Sequence, residues 1–302
     1  MPIIRKNKDR ILLPDYTWQP NFVEIEGCKI HFVAEGKMDA PTILFLHGVP
    51  TWSFTFRKIL PVCIDEGYRI IAPDLPGFGK SDKPSDNKSY SLEKFVECMA
   101  EFIWRLELQH IVLFAHDWGA IIGMVLAAKC PEHFAGIITC NGLLPVPGQK
   151  IPAVFHAWKR FAKYSPVLPV GEIVNYACNR KLSKAEKAGY NYPFSKRNDK
   201  LPVRVLPGLV PLKKGDNGFE IIEESWKELG KWEKPFLTVF SNNDPVTKGG
   251  EKILQGRIPG TKGQPHKILN GKHFLQEDAP EKLGEIINAF VRRICEPETR
   301  LS

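Results

Sequence analysis

Short apolar runs alternate with stretches of helical periodicity along most of the chain. Several runs end at a polar residue, as at His47 after Thr42–Leu46 and Asn141 after Gly136–Cys140. The predicted strands are Phe22–Ile25, Lys29–Val33, Thr42–Leu46, Arg69–Ala72, Ile111–Ala115, Gly136–Cys140, Phe236–Phe240 and His266–Leu269, and the predicted helices are Ser91–Leu108, Ala120–Ala128 and Pro280–Ile294. This alternation predicts a mostly parallel sheet flanked by helices, with an opening hairpin around Gly27.

The pattern changes between Leu144 and Lys214, where strand-like runs are scarce and Pro, Lys and aromatic residues are common. Ser183 and Glu186 have the spacing of a helix capping box. One helical face carries Val154, Phe155, Trp158 and Phe161. We therefore predict a helical cap at 147–214, inserted after the sixth strand between core segments at 1–146 and 215–302.

Composition narrows the class of protein. The 302 residues are 43% hydrophobic and 25% charged, which is ordinary for a globular chain and excludes a disordered or collagen-like one. The start, MPIIRKNKDR, has no apolar region typical of a secretory signal. The apolar run Ile111–Ala128 contains Asp117 and Gly119, so a buried strand, turn and helix explain it better than a membrane span.

Seven scattered cysteines without a C-x-x-C pair indicate reduced thiols in a cytoplasm. The net charge is +8, and the stretch Arg180–Lys214 alone carries an excess of that size. Because no nucleic-acid motif accompanies it, we interpret the excess as a solvated surface that attracts anions mildly, with no nucleic-acid partner.

The sharpest candidate chemistry is Ala115-His116-Asp117-Trp118-Gly119. A predicted strand runs directly into a predicted helix, and small residues flank the central Asp117, as in a nucleophile elbow. The turn carries its central side chain to the carboxyl edge of the sheet, where ligands bind in open α/β sheets. The alternative interpretation is that Asp117 only caps the helix.

Two further residues follow strand ends. Asp244 comes after Phe236–Phe240, and His273 comes after the last predicted strand. The chain order of nucleophile, acid and histidine is that of the α/β-hydrolase triad. A simple turn at Asp244 and a loop role for His273 are the alternatives.

The chain resembles the α/β-hydrolase superfamily and, within it, the haloalkane dehalogenases, over nearly its whole length. The resemblance rests on four stretches: His47–Ser53, Pro73–Pro84, His116–Gly119 and His273–Asp278. The first two are widespread in the superfamily, whereas the Asp-Trp pair and the last stretch are more specific. The resemblance implies an α/β-hydrolase fold and hydrolysis of haloalkanes to alcohol and halide, with no metal or organic cofactor.

The implied mechanism passes through a covalent alkyl ester of Asp117, which displaces halide from a saturated carbon. His273 then activates water to hydrolyse the ester, and Asp244 orients His273 and stabilises its charge. The backbone N–H groups of Val49 and Trp118 are expected to form the oxyanion hole.

The resemblance also implies two donors for the departing halide. The indole N–H of Trp118 is one. One branch of the family uses Asn where this chain has Val49, and another uses a Trp in the cap, for which we nominate Trp158. Phe155 and Pro207 are expected to line the same pocket.

Two other functions remain open, and a third is disfavoured. An epoxide hydrolase shares the Asp nucleophile and uses cap tyrosines, here Tyr164, Tyr176, Tyr190 and Tyr192. A fluoroacetate dehalogenase is disfavoured because its pattern has Arg where this chain has Trp118. A non-catalytic binding protein with the same fold also remains open, since fold alone does not determine function.

We further expect a cytoplasmic monomer with no membrane partner. His116 is expected to pack beside the elbow and His47 to stabilise its loop, while Asp74 ties down the Gly77–Gly79 loop. Asn141 lies where some relatives place the triad acid, but an amide cannot supply the charge, which favours Asp244.

Overall fold

An eight-stranded sheet lies at the centre of the computed structural model, which describes residues 3–4, 13–149 and 151–295. The strands are β1 Asn21–Ile25, β2 Cys28–Glu35, β3 Thr42–Leu46, β4 Arg69–Pro73, β5 Ile111–His116, β6 Phe134–Cys140, β7 Phe236–Ser241 and β8 Lys267–Leu269. Their spatial order is β8-β7-β6-β5-β3-β4-β2-β1. Neighbours are parallel except in the pairs β1–β2 and β2–β4. The predicted mostly parallel sheet is confirmed.

The centre of the sheet is the hydrophobic core. Every residue of β3, β5 and β7 is buried, because helices cover both faces of these strands. The edge hairpin β1–β2 instead alternates between buried and exposed positions along its first strand. A short antiparallel pair, Ile3–Ile4 with Lys83–Pro84, lies outside this sheet. Most of the amino-terminal stretch MPIIRKNKDR lies outside the described residues.

Eleven α-helices occur within the described ranges. They are α1 Leu60–Asp65, α2 Leu92–Arg105, α3 Trp118–Lys129, α4 Ala153–Tyr164, α5 Val170–Tyr176, α6 Lys184–Asn191, α7 Leu201–Val205, α8 Phe219–Leu229, α9 Gly250–Arg257, α10 Leu275–Asp278 and α11 Pro280–Cys295. Almost all of α3 is buried, because it packs against α2 and α8 as well as the sheet. The apolar run 111–128 is thus β5 followed by α3, and none of the described helices is long and apolar enough to cross a membrane.

Helices α4 to α7 form the cap between β6, the sixth strand of the sheet, and α8. The predicted capping box begins α6: the Ser183 hydroxyl accepts from the Glu186 backbone N–H at 3.2 Å, and the Ser183 N–H donates to the Glu186 carboxylate at 2.8 Å. Helix α4 lies at the surface, and Ala162 is its one fully buried residue. The cap is therefore held more firmly through α5 and α6 than through α4.

A buried ionic cluster joins the cap to the core. Its members are Arg57, Lys58 and Glu277 from the core and Arg180 and Glu186 from the cap. Arg57 lies 2.5 Å from Glu277 and 2.9 Å from Glu186, and both Arg57 and Glu277 are fully buried. Glu277 lies in α10, four residues after the triad candidate His273. This cap–core ionic cluster therefore links the cap to the segment that carries His273.

Candidate active site

Asp117 stands at the tight turn from β5 into α3 with backbone angles φ 51° and ψ −120°. A non-glycine residue in this region is strained, by about 1–3 kcal/mol, and such strain is concentrated at functional sites. Two positions at this turn, Gly48 and Gly119, have no room for a Cβ atom. A Cβ on Gly119 would lie 2.2 Å from the Leu46 carbonyl oxygen, and one on Gly48 would lie 2.4 Å from the Asp117 Cβ. The side chain of Asp117 makes no capping bond to α3, which excludes the capping alternative.

The three triad candidates meet at the carboxyl edge of the sheet. Nδ1 of His273 lies 2.9 Å from Oδ2 of Asp244, and Nε2 of His273 lies 3.6 Å from Oδ2 of Asp117. The other oxygen of Asp117, Oδ1, accepts the Val49 backbone N–H at 2.8 Å. The Trp118 N–H makes no such bond to the carboxylate. The arrangement places a carboxylate, an imidazole and a second carboxylate in one line.

The opposite charges of His273 and the two carboxylates stabilise one another's ionised forms. Burial alone would lower the pKa of His273, but Asp244 and Asp117 outweigh it and raise the pKa to about 10. Burial alone would raise the pKa of Asp244, but the charge and hydrogen bond of His273 outweigh it and lower the pKa to about 2. Contact with His273 likewise holds the pKa of Asp117 below its ordinary value despite burial. These contacts favour the ionised form of both carboxylates and the protonated form of the imidazole between them.

Asp117 forms part of the floor of a cavity of about 100 Å³. Most lining side chains are apolar, and they come from α3, from the loop after β6, from α4 and from the end of the cap segment. The lining residues are Asp117, Trp118, Ile121, Gly142, Leu143, Pro145, Val146, Gln149, Ile151, Pro152, Phe155, Val210, Leu212, Val246 and Thr247. A carboxylate that lines a small, mostly apolar cavity can attack a small apolar electrophile bound in that cavity.

The comparisons with known proteins agree with this geometry. A family model for the alpha/beta hydrolase fold matches residues 41–171. A haloalkane dehalogenase of Psychrobacter cryohalolentis is 40% identical over 96% of this chain and 98% of its own, and one of Mycolicibacterium paratuberculosis is 39% identical over 91% and 93%. The chain belongs to the haloalkane dehalogenase family. A solved haloalkane dehalogenase of Paraglaciecola agarilytica, a tetramer, superposes with a TM-score of 0.85 at 27% identity over 96% of this chain and 97% of that chain.

Membership places the chain among the hydrolases of carbon–halide bonds, and two candidates for halide contact can now be located. Trp118 is nearly buried and lines the cavity, and its indole N–H donates to no protein group in the described part of the chain. Trp158 lies on α4, one turn beyond Phe155, and its half-buried indole does not line this cavity. Phe155 lines the cavity, whereas Pro207 is buried elsewhere in the cap and does not. From that part of the cap, Val210 and Leu212 provide the lining instead.

Three further residues donate hydrogen bonds to the triad candidates or to the loop of His273, and the sequence did not predict these contacts. The Thr247 hydroxyl donates to Oδ2 of Asp244. The Asn141 amide donates to the carbonyls of Lys272 and His273 at 2.9 and 3.0 Å. Nε2–H of His116 donates to the same His273 carbonyl at 2.9 Å, and its burial lowers the His116 pKa to about 4, so the ring stays neutral. Of these three contacts, only that of Asn141 had a hint in the sequence, because Asn141 directly follows the end of a predicted strand.

The remaining loop predictions can also be compared with contacts. His47 donates to the Gly48 carbonyl and accepts the Leu75 N–H, both at 2.9 Å, which stabilises its loop as predicted. Asp74 is fully buried and accepts the Lys80 N–H at 2.8 Å, so it does hold the loop at 77–79. These residues shape the surroundings of the site without lining the cavity.

The cap tyrosines of the epoxide-hydrolase alternative do not meet the cavity. Tyr190 is buried in the cap–core ionic cluster, where its hydroxyl donates to Glu277 at 2.5 Å. Tyr164 and Tyr176 are 69% and 83% exposed, and Tyr192 stacks on Trp52. Within the described ranges no cluster of three or more His, Cys, Asp or Glu has the arrangement of a metal site.

Proposed function

We propose that this chain hydrolyses short haloalkanes to alcohol and halide through a covalent ester on Asp117. The observation that supports the proposal most directly is the line Asp117–His273–Asp244 at the base of an apolar cavity. The strained backbone of Asp117 places its side chain at the elbow, and the Val49 N–H holds one carboxylate oxygen. Because a carboxylate is already negatively charged, it needs no base to activate it as a nucleophile.

In the first step, Oδ2 of Asp117 attacks the halogen-bearing carbon, because Oδ1 is engaged by the Val49 N–H. A carbon–oxygen bond forms, the carbon–halogen bond breaks and the electron pair leaves with the halide. The Trp118 indole N–H supports the departing halide from the wall of the cavity. The product is a neutral alkyl ester of Asp117.

Ester formation switches His273 into a base. In the free protein two carboxylates raise its pKa to about 10, and alkylation removes the charge of one of them. The imidazole then loses its proton more easily, and its neutral form accepts a proton from water. The hydroxide formed attacks the ester carbonyl, whose oxygen is stabilised by the Val49 N–H and, as we expect, by the Trp118 N–H. The acyl–oxygen bond breaks, and the imidazolium of His273 gives its proton to the leaving alkoxide, which departs as the alcohol. The new carboxyl group of Asp117 loses its proton to solvent, which regenerates the carboxylate.

Trp158 is proposed as the second halide donor. It shares the cavity-facing side of α4 with Phe155, and its indole N–H has no hydrogen-bond partner among the described residues. Helix α4 has a single fully buried residue, and we propose that it moves when halide binds and brings the indole to the cavity. Trp158→Phe is expected to raise KM for a bromoalkane, and an unchanged KM and kcat would remove Trp158 from the halide site.

The primary experiment measures halide release from 1,2-dibromoethane by the wild type, Asp117→Ala and His273→Gln. Wild type should turn over continuously and Asp117→Ala should release nothing. His273→Gln should release one bromide per protein molecule and accumulate the ester, visible as a mass increase on the peptide that contains Asp117. No release by folded wild type from several bromoalkanes would refute the proposal. An epoxide panel scored for diol then tests the hydrolase alternative, and failure there leaves a non-catalytic binding protein.

We also propose that the protein acts in the cytoplasm as a monomer. All seven cysteines are free thiols, which supports a reducing compartment. The solved relative from Paraglaciecola agarilytica is a tetramer, so size-exclusion chromatography with light scattering tests the monomer directly.

A further inference from the structure

A second cavity, of about 510 Å³, lies where the end of α4 meets the segment before α7 and a core loop. It shares no lining residue with the cavity above Asp117. Its lining residues are Ser85, Lys163, Tyr164, Ser165, Pro166, Arg197, Asn198, Leu201 and Arg204. We call this cavity the basic cleft, because three of these side chains are cationic and none is acidic.

The cations of the basic cleft are not neutralised by protein carboxylates. Within the described residues, Lys163, Arg197 and Arg204 take part in no ion pair with Asp or Glu. One guanidinium nitrogen of Arg204 donates instead to the neutral carbonyls of Ala162 and Ser165, at 3.1 and 2.8 Å. Burial and repulsion by Arg197 both lower the pKa of Arg204, as expected for two adjacent guanidinium groups without a counter-ion.

The cleft accounts for part of the positive excess found in the sequence. Two other cations of the stretch 180–214 are paired: Arg180 belongs to the cap–core ionic cluster, and Lys187 lies 2.9 Å from Glu172. Arg197 and Arg204 come from the same stretch and converge on the cleft with Lys163. Part of the unpaired positive charge therefore lies in a recess, and a recess of one sign attracts counter-ions more strongly than a flat surface does.

The other lining groups define the ligand further. Two guanidinium groups and an ammonium match the oxygens of phosphate, and the Ser85 hydroxyl and Asn198 amide add neutral polar groups at the wall. The ring of Tyr164 is 69% exposed, with the Lys163 ammonium 5.2 Å from its centroid, and it offers a flat surface to an organic group. The volume lies in the range of small-molecule sites. We propose that the basic cleft binds a phosphorylated small molecule that carries two or more negative charges.

Calorimetric titration with pyrophosphate and with ATP at low salt tests this site. Wild type should bind, and a double variant, Lys163→Gln with Arg197→Gln, should bind at least about tenfold more weakly, because it removes two of the three positive charges that face the phosphate. Lys37→Gln removes one exposed positive charge outside the cleft and should bind as the wild type does. Absence of binding by the wild type to every phosphate probe, or equal weakening by Lys37→Gln, would overturn the proposal.

The same phosphate chemistry could come from a lipid headgroup, and a vesicle arm distinguishes the two sources. Binding to phosphatidylglycerol vesicles but not to phosphatidylcholine vesicles, lost in the double variant, identifies a lipid phosphate as the ligand. Binding to pyrophosphate or ATP without vesicle binding identifies a free phosphate compound. The titrations do not depend on dehalogenation, so this site and the proposed activity can fail separately.

Discussion

Replacing Glu277 by Gln tests whether the cap–core ionic cluster stabilises the fold. The carboxylate is fully buried and accepts hydrogen bonds from Arg57, Arg180 and Tyr190. Gln has nearly the same shape, but it removes the negative charge and turns an amide N–H₂ group toward guanidinium donors. Arg57, itself fully buried, would keep Glu186 as its remaining partner.

The expected cost follows from the burial of both partners. Removing one side of a buried ion pair leaves an uncompensated charge and costs about 3–5 kcal/mol. For a chain of this size that loss lowers the Tm by about 6–10 °C. Glu285→Gln is the matched control, because Glu285 makes an exposed pair with Lys282 at 2.8 Å and should cost less than about 0.5 kcal/mol.

Urea unfolding followed by tryptophan fluorescence gives both free energies of unfolding. Because the pKa of Glu277 is lowered in the fold, its contribution is complete above its unfolded pKa of about 4.3 and is lost as pH falls further. The difference between wild type and Glu277→Gln should therefore shrink in acid. If Glu277→Gln lowers the free energy of unfolding at pH 7 no more than Glu285→Gln does, the reasoning is refuted. The desolvation cost of burying the charges would then equal the attraction between them.

Three further predictions concern the site. Gly119→Ala forces a Cβ against a backbone carbonyl of β3 and should lower the free energy of unfolding by at least about 2 kcal/mol, measured by thermal unfolding. The control is Gly256→Ala, whose Cβ would meet nothing within 4 Å, and it should leave stability unchanged or raise it. Asp244→Asn removes a charge that raises the His273 pKa, so the acid limb of the halide-release profile should move to lower pH while the maximal rate falls about 100-fold or more; an unmoved limb would contradict the charge argument. Asn141→Ala removes one of the two side-chain donors to the His273 carbonyl and should lower kcat at least about tenfold in a folded protein, and a wild-type rate would show that this hydrogen bond is dispensable.

The strands and main helices of the core could be predicted because each leaves a local pattern. Burial on both faces makes β3 and β5 continuous apolar runs, and a change of period marks the start of α3. The observed elements differ from the predictions mainly at their ends: β6 begins at Phe134 rather than Gly136, and α3 begins at Trp118 rather than Ala120. End residues depend on backbone angles, such as those of Asp117, that sequence patterns do not encode.

The cap shows where local patterns become insufficient. The four residues predicted to share an apolar helical face do lie on one helix, α4, but Val154 and Phe161 are 38% and 44% exposed. A helical period indicates an apolar face without saying what covers it. The ion pair between Arg57 and Glu277 joins residues 220 positions apart, and only the folded chain brings them together.

The unequal attachment of the cap has a consequence for how the substrate range of this protein can change. The α5–α6 end is fixed to the core by buried charges, so substitutions there disturb the fold and the loop of His273 together. Helix α4 contributes Phe155 to the cavity but has a single fully buried residue, so its other side chains can be exchanged with little cost in stability. Mutational libraries for altered haloalkane preference should therefore concentrate on α4, where substitutions can change the shape of the pocket without preventing the chain from folding.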